Sequence, residues 1–175
     1  IDYSRPRLFD NVYPETLIAV MHDPEYGKPG KDIHGNVIQS TKGKWLEKRP
    51  KAGDGVRFEA NGTDRRFIAT ALGRVVFEDN TVSVVDHFMV KGNVDYNVGH
   101  IDFAGSVSIG GDVQSLFNVK CIGPLLIKGN VSQSRIECEK DIDIGGVSGG
   151  EKGEIICGGN LNARYLNDAI IRCKG

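Results

Sequence analysis

The sequence lacks an excess of charge, a long apolar run and an export signal. Its 175 residues carry 22 Lys and Arg against 23 Asp and Glu, and residues up to 80 hold 13 basic and 12 acidic side chains. Proteins that bind nucleic acid phosphates need clustered positive charge, so this balance gives no indication of nucleic acid as a partner. No stretch approaches the roughly 20 apolar residues of a membrane helix. We therefore expect no membrane span, and no signal peptide is visible.

The sequence also lacks the 3.6-residue period of an amphipathic helix, which predicts an all-β fold. Five of the six prolines precede residue 80, whereas 15 of the 23 glycines follow it. We therefore predict a separate, small, irregular β domain at 1–80 and a second domain at 81–175. In the first domain, Asn61-Gly62 is a strong β-hairpin signal.

Cysteine is scarce, and its spacing is regular. Four cysteines are separated by 17, 19 and 16 residues, and each stands two positions after a β-branched residue: Cys121, Cys138, Cys157 and Cys173. Around them, short apolar-polar alternations are interrupted by Gly, Asn and Asp, which are strand and turn signals. Recurrence at a fixed period is typical of solenoids. Residues 81–175 are thus predicted to form a parallel β-helix with coils of about 17 residues.

We expect one inward position to recur in successive coils and to form a core ladder. Its predicted members are Val84, Phe103, Cys121, Cys138, Cys157 and Cys173. A free cysteine is usually a small buried hydrophobe. A metal site is the alternative, but the spacing lacks paired C-x-x-C clusters and no His shares the frame. Ladder geometry disfavours disulfides, so we expect four free thiols and no bound metal or other cofactor.

The histidines and the glycine-rich segment give no catalytic set. His22 and His34 stand near Asp23 and Asp32, which would suit a metal site or an acid-base pair, but the surrounding Pro and Gly predict polar turns. His87 and His100 are predicted to lie near coil corners on the surface. Residues 145–153 lack the Lys-Ser/Thr ending of a phosphate-binding loop, so we interpret them as an enlarged coil corner.

The best candidate for a partner surface is a basic stretch around the only tryptophan. Its residues are Lys42, Lys44, Trp45, Lys48, Arg49 and Lys51. Two interpretations are open. Trp45 could lie in the core of the small domain beneath a solvated hairpin, or it could anchor a protein interface, where Trp and Arg are enriched.

Several motifs in this order resemble the bacterial flagellar assembly protein A family. They span residues 27–35, 52–56 and 69–75 in the first domain, and 105–113, 127–131 and 145–153 in the solenoid. A weaker resemblance links the second domain to the C-terminal domain of the division inhibitor MinC, a right-handed triangular β-helix. The solenoid is accordingly expected to be a right-handed parallel β-helix.

The resemblance implies a non-catalytic scaffold for cell-pole or flagellum assembly that binds regulatory proteins. One implied partner is a phosphotransferase-system protein. Reduced cysteines and the absence of a visible export signal predict a cytoplasmic protein, and the resemblance implies a location at the cell pole. The chain begins at Ile1 and ends at Gly175 inside a repeat. We therefore expect a truncated piece of a longer protein that can self-associate through a β-helix face or end.

An enzyme is the second hypothesis. From Ile101 to Val131 apolar residues recur every six positions, as in left-handed hexapeptide acyltransferases. His100 would then be a general base that activates the acceptor. The spacing becomes irregular after Val131, and the first domain has no role in this hypothesis, so we favour the scaffold.

Overall fold

The computed structural model describes residues 10–45, 47–150 and 153–175, and it confirms the all-β prediction. No α-helix occurs in these ranges. A mainly antiparallel β unit is followed by a parallel β-solenoid of five coils. No helix in the described residues is long and apolar enough to cross a bilayer.

In residues 10–45 and 47–85, the N-terminal unit contains three small sheets. Its strands are β1 Asn11–Val12, β2 Leu17–His22, β3 Gly30–Lys31, β4 Val37–Ile38, β5 Lys51–Ala52, β6 Val56–Asn61, β7 Asp64–Ala69, β8 Gly73–Glu78 and β9 Thr81–Val85. The sheet orders are β1-β8-β9-β5, β2-β7-β6 and β3-β4. Asn61 pairs with Asp64, and Gly62 has a φ of 62°, so the predicted Asn-Gly hairpin is confirmed.

The pairing of strand β9 shows that the sequence prediction for Val84 is wrong. Val84 was predicted to lie in the solenoid ladder, but it pairs antiparallel with Val75 and is buried with Val12 and Ala69 in the core of the N-terminal unit. Asp79 and Asn80 have φ values of 48° and 59°, the left-handed pair of a type I′ hairpin turn. That turn folds β9 back onto β8, and the first coil begins after it.

Eleven strands form the part of the solenoid that the structure describes, residues 86–150 and 153–175. They are β10 His87–Val90, β11 Ile101–Phe103, β12 Ser106–Ile109, β13 Val119–Cys121, β14 Leu125–Ser132, β15 Arg135–Cys138, β16 Ile142–Ser148, β17 Glu154–Cys157, β18 Leu161–Ala163, β19 Leu166–Asn167 and β20 Ile170–Cys173. One parallel sheet has the order β10-β12-β14-β16-β18, with β19 beside the end of β16. A second has the order β11-β13-β15-β17-β20.

Five inward positions recur in every coil, because each paired strand keeps its register with the next. The ladders are Phe88-Val107-Leu125-Ile142-Leu161, Val90-Ile109-Ile127-Ile144-Ala163, Val94-Val113-Val131-Val147-Leu166, Ile101-Val119-Ile136-Ile155-Ile171 and Phe103-Cys121-Cys138-Cys157-Cys173. Most of these side chains form one continuous buried core. In the last coil Leu166, Ile171 and Cys173 are exposed.

The six-residue spacing from Ile101 to Val131 has a simple geometric origin. All six of its apolar residues are buried. Each coil has three sides, and the step from Ile101 to its ladder neighbour Val119 is 18 residues, or six for each side. Later steps in this ladder are 17, 19 and 16 residues, so the regular spacing ends.

The glycine-rich segment 145–153 is not wholly a corner. Gly145 and Gly146 lie inside strand β16, and only the residues after Ser148 leave it. The ring of Tyr165 lies over Gly146, where a Cβ would approach a ring carbon to 2.2 Å. The Tyr165 hydroxyl donates a hydrogen bond to Asn130 Oδ1 at 2.8 Å. Position 146 therefore requires glycine, because a side chain there would collide with Tyr165 of the next coil. Glu151 and Lys152 of this segment lie outside the described residues.

Polar side chains at the corners join one coil to the next. Asn93 Oδ1 accepts the backbone N–H of Asp112 at 2.8 Å, and Asp112 Oδ1 accepts that of Asn130 at 2.7 Å. At another corner, Asp141 Oδ1 accepts the N–H of Asn160 at 2.8 Å. These bonds satisfy backbone donors where strand pairing is interrupted.

The side chain of Asn11 connects the N-terminal unit to the first coil. Its Nδ2 donates to the carbonyl of Asp102 at 3.0 Å, and its Oδ1 accepts the N–H of Ala104 at 3.0 Å. The amide thus pairs with β11 as a neighbouring strand would. An open end of a β-solenoid exposes unpaired backbone groups, and Asn11 covers two of them.

We predict that Asn11→Ala destabilises the first coil. The N–H of the buried Ala104 would lose its partner, at a cost of about 1–3 kcal/mol, and the carbonyl of the exposed Asp102 would exchange its partner for water. Chemical denaturation should show this loss, and the amide of Ala104 should exchange faster. Asn97→Ala is the matched control, because its amide bonds only within its own loop, to Asp95. Equal stability of the Asn11 variant and wild type would contradict the capping role.

Candidate functional site

The indole of Trp45 is contacted by two arginine side chains. The guanidinium of Arg49 lies 4.3 Å from the ring centroid, and that of Arg65 lies 4.6 Å from it. Arg65 is oriented by Asp23, whose Oδ1 accepts its Nε–H at 3.0 Å. Trp45 is half-buried and belongs to neither buried cluster of the described residues. Each stacked cation–π contact contributes about 1 kcal/mol.

The other predicted surface residues flank Trp45 along the chain. Lys42, Lys44, Lys48 and Lys51 are all exposed. Sequence reasoning missed Arg65, because it comes from β7 and reaches Trp45 only through the fold. We call Trp45, Arg49, Arg65 and the four lysines the basic surface.

Charge is unevenly distributed around this surface. Residues 24–51 hold seven of the 22 basic residues and three of the 23 acidic ones, whereas the rest of the chain carries 15 basic and 20 acidic residues. The difference is not visible when the charges before and after residue 80 are compared, because the positive segment is averaged with the rest of the first domain. The segment is therefore a positive region on a molecule that is otherwise negative, and it favours an anionic partner.

A β-hairpin, which we call the arm, extends from the basic surface over residues 25–43. Backbone bonds tie Gly43 to Glu25 and Gly27 to Thr41, and β3 pairs with β4 further out. At the tip, Asp32 accepts hydrogen bonds from the backbone N–H groups of His34 and Asn36 and from the Asn36 side chain. The Asn36 bonds, from side chain and backbone, lower the pKa of Asp32, so the carboxylate is ionised at neutral pH.

The first two histidines do not form a site with their neighbouring aspartates. His22 Nδ1 lies 2.8 Å from Asp64 Oδ1, whereas Asp23 binds Arg65. Asp32 contacts the backbone of His34. In the parts of the chain that the structure describes, no group of His, Cys, Asp and Glu side chains has the arrangement of a metal site.

His87 and Ser106 form a pair that the sequence did not indicate. His87 Nδ1 lies 2.9 Å from Ser106 Oγ, at one side of a shallow groove that also contains Leu126 and Asp143. Ser106 Oγ donates to the carbonyl of Asp86 at 3.1 Å. The hydroxyl contacts both the imidazole and the Asp86 carbonyl, so the pair joins two neighbouring coils at a corner.

His100 is engaged with the next coil. Its Nδ1 accepts the backbone N–H of Asn118 at 3.0 Å, and its ring lies 5.7 Å from that of Phe117. A neutral imidazole that accepts at Nδ1 carries its proton at Nε2. Neither nitrogen of His100 is then free to act as the general base that the acyltransferase hypothesis requires.

The four cysteines are free thiols, and three of them are buried. Cys138 Sγ lies 3.1 Å from the carbonyl of Gly123, and Cys157 Sγ lies 3.2 Å from that of Lys140. The contact with Cys138, together with burial, raises the pKa of the Cys121 thiol, and burial raises that of Cys157. These thiols fill the core and donate weakly to corner carbonyls. Cys173, at the same position of the last coil, is exposed.

We predict that one thiol of the native chain reacts quickly with a disulfide reagent and that four react after unfolding. Cys121 and Cys157 have a raised pKa and form little thiolate, whereas the hydrogen bond from Cys121 lowers the pKa of Cys138, which is protected by its burial alone. The fast phase should disappear in Cys173→Ser. Fewer than four thiols in the unfolded chain, or stoichiometric zinc retained after dialysis against chelator, would contradict the packing role.

Comparison with known families gives two matches that together cover nearly the whole chain. The sequence model described as Flagellar Assembly Protein A beta solenoid domain matches residues 86–175. The one described as Flagellar Assembly Protein A N-terminal region matches residues 1–80. No curated protein and no solved structure gives a significant match.

Proposed function

The chain belongs to the Flagellar Assembly Protein A family, and on this premise we propose that it is a non-catalytic scaffold that binds a protein through the basic surface. The observation that carries the proposal is the stack of Arg49, Trp45 and Arg65. Trp and Arg dominate the binding energy of protein interfaces.

The geometry of Trp45 supports a binding role over a purely structural one. Contact with two guanidinium groups restrains the ring before a partner arrives, which lowers the conformational entropy lost on binding. The exposed lysines on either side attract an acidic partner and accelerate encounter. A Trp needed only for packing would lie in one of the two buried clusters, and Trp45 lies in neither.

The solenoid supplies a rigid support for this surface. On the side formed by β11, β13, β15, β17 and β20, Lys120 pairs with Glu137 at 3.6 Å, and Arg135 pairs with Glu154 at 2.7 Å. Arg172 also contacts Glu154. These neighbouring charges compensate each other across the coils. Self-association through a solenoid face or end is a further part of the proposal.

The partner class follows from the family resemblance. We propose a phosphotransferase-system protein as the first partner to test, and a cytoplasmic, cell-pole location for the complex. The proposed relation to the C-terminal domain of MinC is consistent with this role, because both would be short-coiled solenoids that present flat faces to another protein.

We predict that Trp45→Ala weakens binding of the purified glucose-specific phosphotransferase protein by about thirtyfold, the loss of a hot-spot residue of about 2 kcal/mol. Arg49→Glu should also weaken it. Isothermal titration measures the affinity, and thermal melting checks that the variants stay folded. Lys128→Glu, an exposed change on the solenoid, should bind as wild type does.

Absence of binding by the wild-type chain, or unchanged binding by Arg49→Glu, would contradict the proposal. No binding by the wild-type chain would exclude the phosphotransferase partner. Unfolding of Trp45→Ala would show that the indole is a core residue, and Arg49→Glu, which leaves the indole in place, would then decide whether the surface binds at all.

A further inference from the structure

The arm buries almost none of its own surface. Every residue from 25 to 44 is exposed except Asp32 and Ser40, which are half-buried. Its strands β3 and β4 pair only with each other. A lone two-stranded hairpin is at best marginally stable in water, because it has no apolar face to cover. Contact with something outside the chain would stabilise such a feature.

The outer part of the arm presents large apolar side chains to solvent. Ile33 at the tip is 96% exposed, Val37 57% and Ile38 56%. Val37 and Ile38 are adjacent in one strand and point to opposite faces, so the apolar surface surrounds the tip. Ile38 lies opposite Gly30, three residues from Ile33, which places all three side chains within roughly 10 Å of the end.

The tip is rigid despite this exposure. Asp32 bonds to two backbone N–H groups and one side chain across the turn, and Gly35 has a φ of 84° that favours glycine. The N–H of Asp32 also donates to the carbonyl of Asn36 at 2.9 Å. Ile33 is therefore held outward and cannot fold back onto the arm.

Positive charge lies directly behind the apolar tip. Lys31 pairs with Val37, and Lys28, Lys42 and Lys44 follow towards the base. Tyr26, opposite Lys42, is 70% exposed. The acidic residues of the arm are Glu25 at its base and Asp32, whose carboxylate is engaged in the turn.

We propose that the arm docks on an anionic lipid bilayer, with the tip inserted and the lysines at the headgroups. Interfacial segments bury their apolar side chains about 5–10 Å into the headgroup and acyl boundary, which matches the depth of Ile33, Val37 and Ile38. Lysines behind an apolar tip extend their stems along it and keep their charge among the headgroups. The excess negative charge of the rest of the chain orients the arm towards the surface.

The distribution of the apolar side chains favours a bilayer over a protein partner. A protein groove contacts one face of a strand pair, and the opposite face then stays polar. Here Val37 and Ile38 place one apolar side chain on each face and Ile33 adds one at the tip, which suits a fluid medium that surrounds the inserted part. The inference does not depend on the partner proposed for the basic surface.

The test is flotation of the full chain with vesicles of phosphatidylcholine alone or mixed with phosphatidylglycerol. We expect binding only to the mixed vesicles, and weaker binding as salt is raised. Ile33→Ser should reduce the affinity about tenfold through lost apolar burial. Lys28→Glu with Lys31→Glu should reduce it at least twenty-five-fold, about fivefold or more for each position.

Two variants on the solenoid are matched controls. Met89→Ser removes an apolar side chain that is 62% exposed, and Lys128→Glu reverses an exposed charge. Both should float as wild type does. Because Ile33 is fully solvated, Ile33→Ser should keep the wild-type melting temperature, and this separates lost binding from lost folding.

Each contrary result overturns the inference. Failure of the wild-type chain to float with mixed vesicles excludes the bilayer, and equal flotation with neutral vesicles excludes the charge-based docking. Unchanged flotation of Ile33→Ser excludes insertion of the tip. Concentration-dependent dimerisation that the same substitution abolishes, without vesicle binding, would assign the arm to a second copy of the chain.

Discussion

In-register stacking of the coils is the constraint on which the rest of the structure depends. Each inward side chain of the solenoid is buried by the equivalent residue one coil away, so no coil has a core of its own. The register also fixes the corners, where Asp112 and Asn130 must meet the coil before them. A shift by one residue would turn every apolar side chain outward. Because the stack is rigid, it can hold a distant surface in a fixed orientation.

The sequence correctly predicts the coil length of the solenoid, but it does not correctly predict the residue at which the first coil begins. The cysteine intervals reflect the coil length directly, since the cysteines from 121 to 173 occupy one ladder. The prediction that Val84 lies in the solenoid ladder is wrong because apolar-polar alternation indicates a strand but does not indicate whether the neighbouring strand runs parallel or antiparallel to it. The signal that decides this is the Asp79-Asn80 turn, which makes β9 the second strand of a hairpin. The change in composition near residue 80 therefore falls a few residues before the first coil.

The candidate surface was predictable in part. The basic stretch from Lys42 to Lys51 stands out in the sequence, but nothing there indicates that Arg65 completes the stack on Trp45. That contact depends on how the strand β7 packs. Likewise, Ile33 reads in sequence as one residue of a polar turn, and only the fold leaves it without neighbours. Sequence patterns indicate local secondary structure, whereas a surface formed by segments distant in sequence can be identified only once the fold is known.

The N-terminal unit combines two roles, because it caps the stack of coils and carries the proposed binding surfaces. Asn11 covers the first coil, and the same N-terminal unit carries the basic surface and the arm.

Native-state hydrogen exchange, measured coil by coil, tests most directly the central claim that the coils depend on one another for their core. The account predicts that strand amides of the three middle coils exchange slowly through one shared opening, while those of Ile170–Cys173 exchange faster. Independent opening of each coil, or slowest exchange in the last coil, would contradict it.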